Sequence, residues 1–147
     1  MKNARLFLLF LMVAFLASCD NSTAQNPENW TQDQLVQPAT LAAQLKEGKD
    51  LPLIFCVGPG AIIPHSVDIG MTRDPQNLEK LKSHLKTLPK STNILIYCGC
   101  CPFAHCPNVR PAISLLKEMK FTNYHLLNLP DNIKEDWISK GYPTTYQ

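Results

Sequence analysis

The stretch Asn93-Ile94-Leu95-Ile96-Tyr97-Cys98-Gly99-Cys100-Cys101 decides the fold. Residues 94–97 form a short continuous apolar run, the pattern of a strand buried on both faces. Cys98 stands at its carboxyl end. In open α/β sheets, ligands bind outside the carboxyl ends of the strands. A thiol placed there, with a loop leading into a helix, meets backbone N–H groups and the positive end of a helix dipole. Both favour thiolate over thiol and make the sulfur nucleophilic at neutral pH.

Working outward, residues 53–57 (Leu-Ile-Phe-Cys-Val) repeat the buried-strand pattern and stop at Gly58-Pro59-Gly60. Shorter extended pieces follow at residues 62–64 and 67–69. Residues 38–48 read as a helix, with Pro38 in its first turn, Leu41, Ala42 and Leu45 at helical spacing, and Gly48 at the stop. Asp74 caps a second helix that starts with Pro75, carries the stripe Leu78, Leu81, Leu85 and Leu88, and ends at Pro89. After the cysteine loop, a helix from about residue 109 to Met119 turns Ile113 and Leu116 inward. Residues 124–129 give a further strand. A last helix starts near Asp131, buries Ile133, Trp137 and Ile138, and stops at Gly141. Strands separated by helices predict an α/β domain with a central, mostly parallel sheet flanked by helices in three layers.

The chain has 147 residues, of which 45% are hydrophobic and 18% charged, in keeping with one packed domain and not with a disordered chain. Lys2 and Arg5 precede twelve apolar residues, 6–17, that close on Leu16-Ala17-Ser18-Cys19. A membrane span needs about 20 such residues and a secretory h-region roughly 7–15. The segment resembles the signal and lipobox of bacterial lipoproteins. That resemblance implies cleavage after residue 18, lipidation of Cys19, and a domain anchored to a bacterial membrane, facing the periplasm or the cell surface. Residues 19–29 are the lipidated Cys and a polar tether, and residues 30–147 the domain. Removing Lys2 and Arg5 from fourteen cationic residues leaves twelve against twelve acidic ones, so no charge excess points to nucleic acid. Six cysteines less the lipidated one leave five, an odd number, so at least one thiol stays free, binds something, or pairs with another molecule.

From residue 38 to residue 143 the order of elements resembles a rhodanese-like (sulfurtransferase) domain. The resemblance rests on Phe55-Cys56-Val57-Gly58-Pro59 in place of the first signature strand and on the turn Ile63-Pro64-His65-Ser66-Val67-Asp68-Ile69. It continues in the strand that ends at Cys98, in residues 115–121, and in Trp137 through Gly141-Tyr142-Pro143. It implies that Cys98 takes a sulfur atom from a small sulfur-containing substrate, becomes a persulfide, and hands it to an acceptor thiol. Backbone amides of residues 99–105 would cradle the anion, and no organic cofactor would be required. Where that family has Asp-Val-Arg, this chain has Cys56-Val57-Gly58. Its loop is also longer and richer in thiols. The phosphatase variant needs an Arg six positions after the nucleophile; Ala104 and Ala112 stand at those positions from Cys98 and Cys106, which excludes it.

Four cysteines fall within nine residues, 98–106, and they allow more than one chemistry. Cys98 is the candidate nucleophile, with Gly99, Cys100, Cys101, His105 and Arg110 placed to bind an anionic substrate. Disulfides among Cys56, Cys98, Cys100, Cys101 and Cys106 would staple the loop. Cys98 and Cys101 also have the Cys-x-x-Cys spacing of a redox pair. Cys100, Cys101, Cys106 and His105, with Cys56, offer soft ligands for Cu(I) or Zn(II). Cys56, in a buried run, is first a small core residue, and His65 an exposed turn residue.

Overall fold

The computed structural model describes residues 30–146, so the signal-like segment, Cys19 and the tether fall outside the described residues. Five strands form one sheet: β1 (Leu35–Val36), β2 (Leu53–Cys56), β3 (Val67–Asp68), β4 (Ile94–Tyr97) and β5 (Tyr124–Leu127). Their spatial order is β1-β5-β4-β2-β3 and every pair is parallel. Among the described residues, three α-helices lie between strands, α1 (Pro38–Glu47), α2 (Pro75–Leu85) and α3 (Val109–Glu118), and the short α4 (Ile133–Asp136) follows β5. The expected α/β three-layer architecture is the observed one.

Strand periodicity builds the layers. Successive side chains of β4 point to opposite faces of the sheet. Ile94, Ile96 and Cys98 pack with Phe55, Val57, Leu81, Leu85, Ile113 and Leu116, so α2 and α3 cover that face. Leu95 and Tyr97 pack with Ile54, Cys56, Leu41 and Trp137 on the face covered by α1 and the C-terminal segment. Each fully buried Leu or Ile contributes roughly 1.5–3 kcal/mol, so the central strands are the most strongly held part of the chain. The helix ends follow the signals read from sequence. The Asp74 side chain accepts from the Gln76 N–H at 2.9 Å and Pro75 opens α2. Gly48 ends α1 in the left-handed conformation at φ 65°.

Three features depart from the sequence reading. β1 carries no strand signal of its own; it exists because Leu35 and Val36 pair with Leu126 and Leu127. β5 ends at Leu127, although Leu129 stays in the core. The last helix is broken in two. Asn132 caps α4 by accepting from Lys134 and Glu135, and Trp137 then leaves helical geometry at φ −129° and ψ −62°. That break buries the indole, whose Nε1–H donates to the Pro143 carbonyl at 2.8 Å, and turns Ile138 outward to 43% exposure. Ile138 is therefore a surface residue, not the core residue expected.

Candidate active site: four sulfurs at the end of the central strand

β4 is flanked by β5 and β2, and Cys98 follows directly on its last residue. Gly58, just past β2, lies against it. A Cβ on Gly58 would stand 2.2 Å from the Cys98 carbonyl oxygen and 2.7 Å from its Sγ. The absence of a side chain at Gly58 is thus what gives Cys98 its room. Gly99 then takes φ +82° with its Cα packed on Ile133, while its carbonyl accepts from the Ile133 N–H at 2.9 Å. This left-handed step, which a glycine makes without steric cost, folds Cys100 back over Cys98.

The result is a compact group. The Sγ atoms of Cys98, Cys100, Cys101 and Cys106 all lie within 4.8 Å of one another. Cys98 and Cys100 are 3.1 Å apart, and Cys100 and Cys101 3.4 Å. All five described cysteines are free thiols, so the loop is not stapled by disulfides. Beside Cys101, the Cys-x-x-Cys partner of Cys98 that lies within 4.8 Å of it, the turn at Gly99 brings Cys100 close to Cys98. Cys106 ends a 3-10 turn, Phe103–His105, and is itself buried.

Donors surround the Cys98 sulfur. The Cys106 thiol is the strongest, joined by the Cys100 N–H, the Asn108 amide and the Cys100 thiol. Together they outweigh the burial of the group and bring its pKa down from the ordinary 9.0 to about 5. Its neighbours keep their own protons. Burial, then its hydrogen bonds to Cys98 and Cys101, push Cys100 up to about 12. The hydrogen bond to Cys98, with burial, pushes Cys106 up as well, against the pull of the Asn108 and Val109 amides. The negative charge is thus held on Cys98, with the thiols of Cys100 and Cys106 donating to it.

Asn108 is the residue that sequence reasoning missed. It is buried at the start of α3 and donates from Nδ2 to Cys98 Sγ at 3.4 Å and, more weakly, toward Cys100 Sγ at 4.0 Å. Its orientation is fixed from the other side, because Oδ1 accepts from the Arg73 N–H at 3.3 Å. The Thr72 hydroxyl donates to the Asn108 carbonyl. An Asn just before a helix is an ordinary cap residue, so only the tertiary contact with Cys98 distinguishes it.

Several expected site residues are placed elsewhere. Two of the anticipated loop amides are engaged with carbonyls, Phe103 N–H with Leu129 and His105 N–H with Pro102. Of the 99–105 segment, the Cys100 N–H serves the Cys98 sulfur. His105 is exposed and outside the four-sulfur group. The Arg110 guanidinium donates to the Ala104 carbonyl at 3.4 Å and so braces the 3-10 turn. Cys56 is also outside the group; its thiol donates to the Gly60 carbonyl at 3.3 Å and lies 3.8 Å from that of Gly58. It is the core thiol expected. Cys98 itself is less open than anticipated, at 5% exposure, with Cys100 exposed beside it.

The group has the chemistry to hold a soft metal ion. Tetrahedral tetrathiolate sites have metal–sulfur distances of about 2.3 Å, which put the sulfurs about 3.8 Å apart. The observed spacing needs only small adjustments to reach that. Among solved structures, the chain is similar to the Alr3790 protein from Anabaena sp., with a TM-score of 0.51 and 20% sequence identity over 74% of this chain and 89% of that one. At that identity the likeness concerns the fold alone. No family model and no curated protein matches the chain.

Proposed function

We propose that the domain is a rhodanese-like sulfurtransferase that carries sulfane sulfur on Cys98. The observation that supports this reading most strongly is the Cys98 sulfur at the end of the central strand, met by one backbone N–H, one side-chain amide and two thiols. Such preorganised donors stabilise a sulfur anion without any reorganisation during reaction. In the loading step the Cys98 thiolate attacks the outer sulfur of thiosulfate. The S–S bond of thiosulfate breaks, sulfite leaves with the electron pair, and Cys98 becomes an anionic persulfide that sits among the same donors. An acceptor thiol then removes the sulfur. The lipobox-like segment ending at Cys19 would hold this domain at a bacterial membrane, with its substrate arriving from the periplasm or the cell exterior.

The test is intact-mass analysis of reduced protein after treatment with thiosulfate. The expected gain is one sulfur atom in the parent and none in Cys98→Ser. An unchanged gain in the variant overturns the reading. Mass analysis of protein from a bacterial membrane fraction also reads the lipid on Cys19.

A second reading rests on the 4.8 Å envelope of the four sulfurs. The loop would bind Cu(I) or Zn(II) through Cys98, Cys100, Cys101 and Cys106, releasing their protons as it does so. Protein purified without oxygen then carries near-stoichiometric copper or zinc. Metal-free protein that takes up neither ion discards this reading.

A further inference from the structure

Cys100 does more than donate to the Cys98 sulfur, because its own sulfur stands where it can act on a sulfur carried by Cys98. Its Sγ is 3.1 Å from Cys98 Sγ, held there by the left-handed turn at Gly99. Cys98 is almost wholly covered and Cys100 is exposed, so a bulky acceptor approaching from solvent meets Cys100 first.

We propose that Cys100 is a resolving thiol that converts the Cys98 persulfide into free sulfide. The inference rests on the sulfur-carrying reading of Cys98. The Cys100 sulfur attacks the inner sulfur of the persulfide, which is Cys98 Sγ. A Cys98–Cys100 bond forms, the bond to the outer sulfur breaks, and that sulfur leaves with the electron pair as HS−, taking the Cys100 proton. Atoms and charge balance: persulfide anion plus thiol gives disulfide plus hydrosulfide. The sulfane sulfur is reduced and the two cysteines are oxidised. Closing the bond requires the two sulfurs to approach by about 1 Å. An external dithiol then reduces the pair and restores the thiols. The protein is on this account a reductase of sulfane sulfur, and the exposed Cys100 is where the external dithiol attacks.

The experiment uses the full-length chain, reduced and freed of reductant without oxygen, with inorganic thiosulfate as the probe. The parent protein is expected to release sulfite and sulfide in equal amounts and to lose two hydrogens in mass, with Cys98 and Cys100 joined in the peptide map. Cys100→Ser should still release sulfite but keep the added sulfur, and its sulfide release should fall at least about ten-fold. Cys56→Ala, which removes a thiol outside the four-sulfur group, should release sulfide as the parent does. Because Cys100 is exposed, its Ser variant keeps the fold, which circular dichroism checks. A parent protein that retains a stable persulfide, or sulfide release unchanged in Cys100→Ser, overturns the proposal alone. Absence of sulfite release from the parent removes the sulfur-carrying reading and this proposal with it.

Discussion

Cys56 and Cys98 are the same residue at equivalent places on neighbouring strands, and they are opposite in chemistry. β2 and β4 pair in register, with Cys56 opposite Tyr97, so the two thiols are one step apart along the sheet and face opposite sides of it. Cys56 has few donors about it. Its S–H points at the carbonyls of Gly58 and Gly60, and burial pushes its pKa up against the hydrogen bonds from the Gly58 backbone and the Tyr97 side chain. Cys98 meets more donors, and its pKa falls to about 5. Burial alone does not separate them, since Cys56 is fully buried and Cys98 is 5% exposed. The size of the donor set does: at Cys56 burial outweighs the donors, and at Cys98 the donors outweigh burial. A strand-end cysteine is therefore structural or reactive according to how many N–H and S–H donors the following loop brings to it.

Exchanging either sulfur breaks the comparison most directly. Cys98→Ser is expected to abolish sulfur loading, while Cys56→Ala leaves it within about two-fold; loading measured by intact mass decides. Gly58→Ala comes next. Its Cβ would enter the space of the Cys98 carbonyl and sulfur, so we expect loading to fall at least about ten-fold and stability to drop by about 1–3 kcal/mol in urea unfolding. Asn108→Asp should act more mildly. It keeps an acceptor for the Arg73 N–H but replaces a donor with a negative charge beside Cys98, raising the Cys98 pKa by about 1–2 units, read from thiolate ultraviolet absorbance.

The parent protein sharpens the contrast by its own titration. Because the Cys98 pKa is lowered, its thiolate persists through neutral pH and is lost as pH falls through about 5. Cys56 is raised, so it contributes no thiolate in that window. Alkylation by a small reagent at pH 6, located by peptide mapping, should therefore label Cys98 and spare Cys56. The smallest expected effect is on stability in Cys56→Ala, about 1 kcal/mol for the lost packing and thiol bonds.

How much of this was legible depends on the range of the interaction. β2, β4, α1 and α2 were readable because their signals are local: continuous apolar runs, and Pro or Gly at the helix boundaries. β1 was not, because two residues show no periodicity and pair only with β5. Ile138 has the spacing of a buried residue, but the break at Trp137 rotates it out. In the site, the thiol cluster was visible as a cluster, whereas its internal pairing was not. The Cys-x-x-Cys spacing pointed to Cys101; that the turn at Gly99 also sets Cys100 3.1 Å from Cys98 was not visible in it. Asn108, ten residues from Cys98, was indistinguishable from a helix cap.

The order of residues alone determined an α/β domain and set Cys98 at the end of its central strand, because strand burial and helix capping are written within a few neighbouring positions. Tertiary structure decided which sulfur carries the charge, which thiol stands beside it, and which side chain holds it. Those depend on the space left at Gly58, the turn at Gly99 and the donors brought by Cys106 and Asn108, and this arrangement exists only once separate segments have packed together.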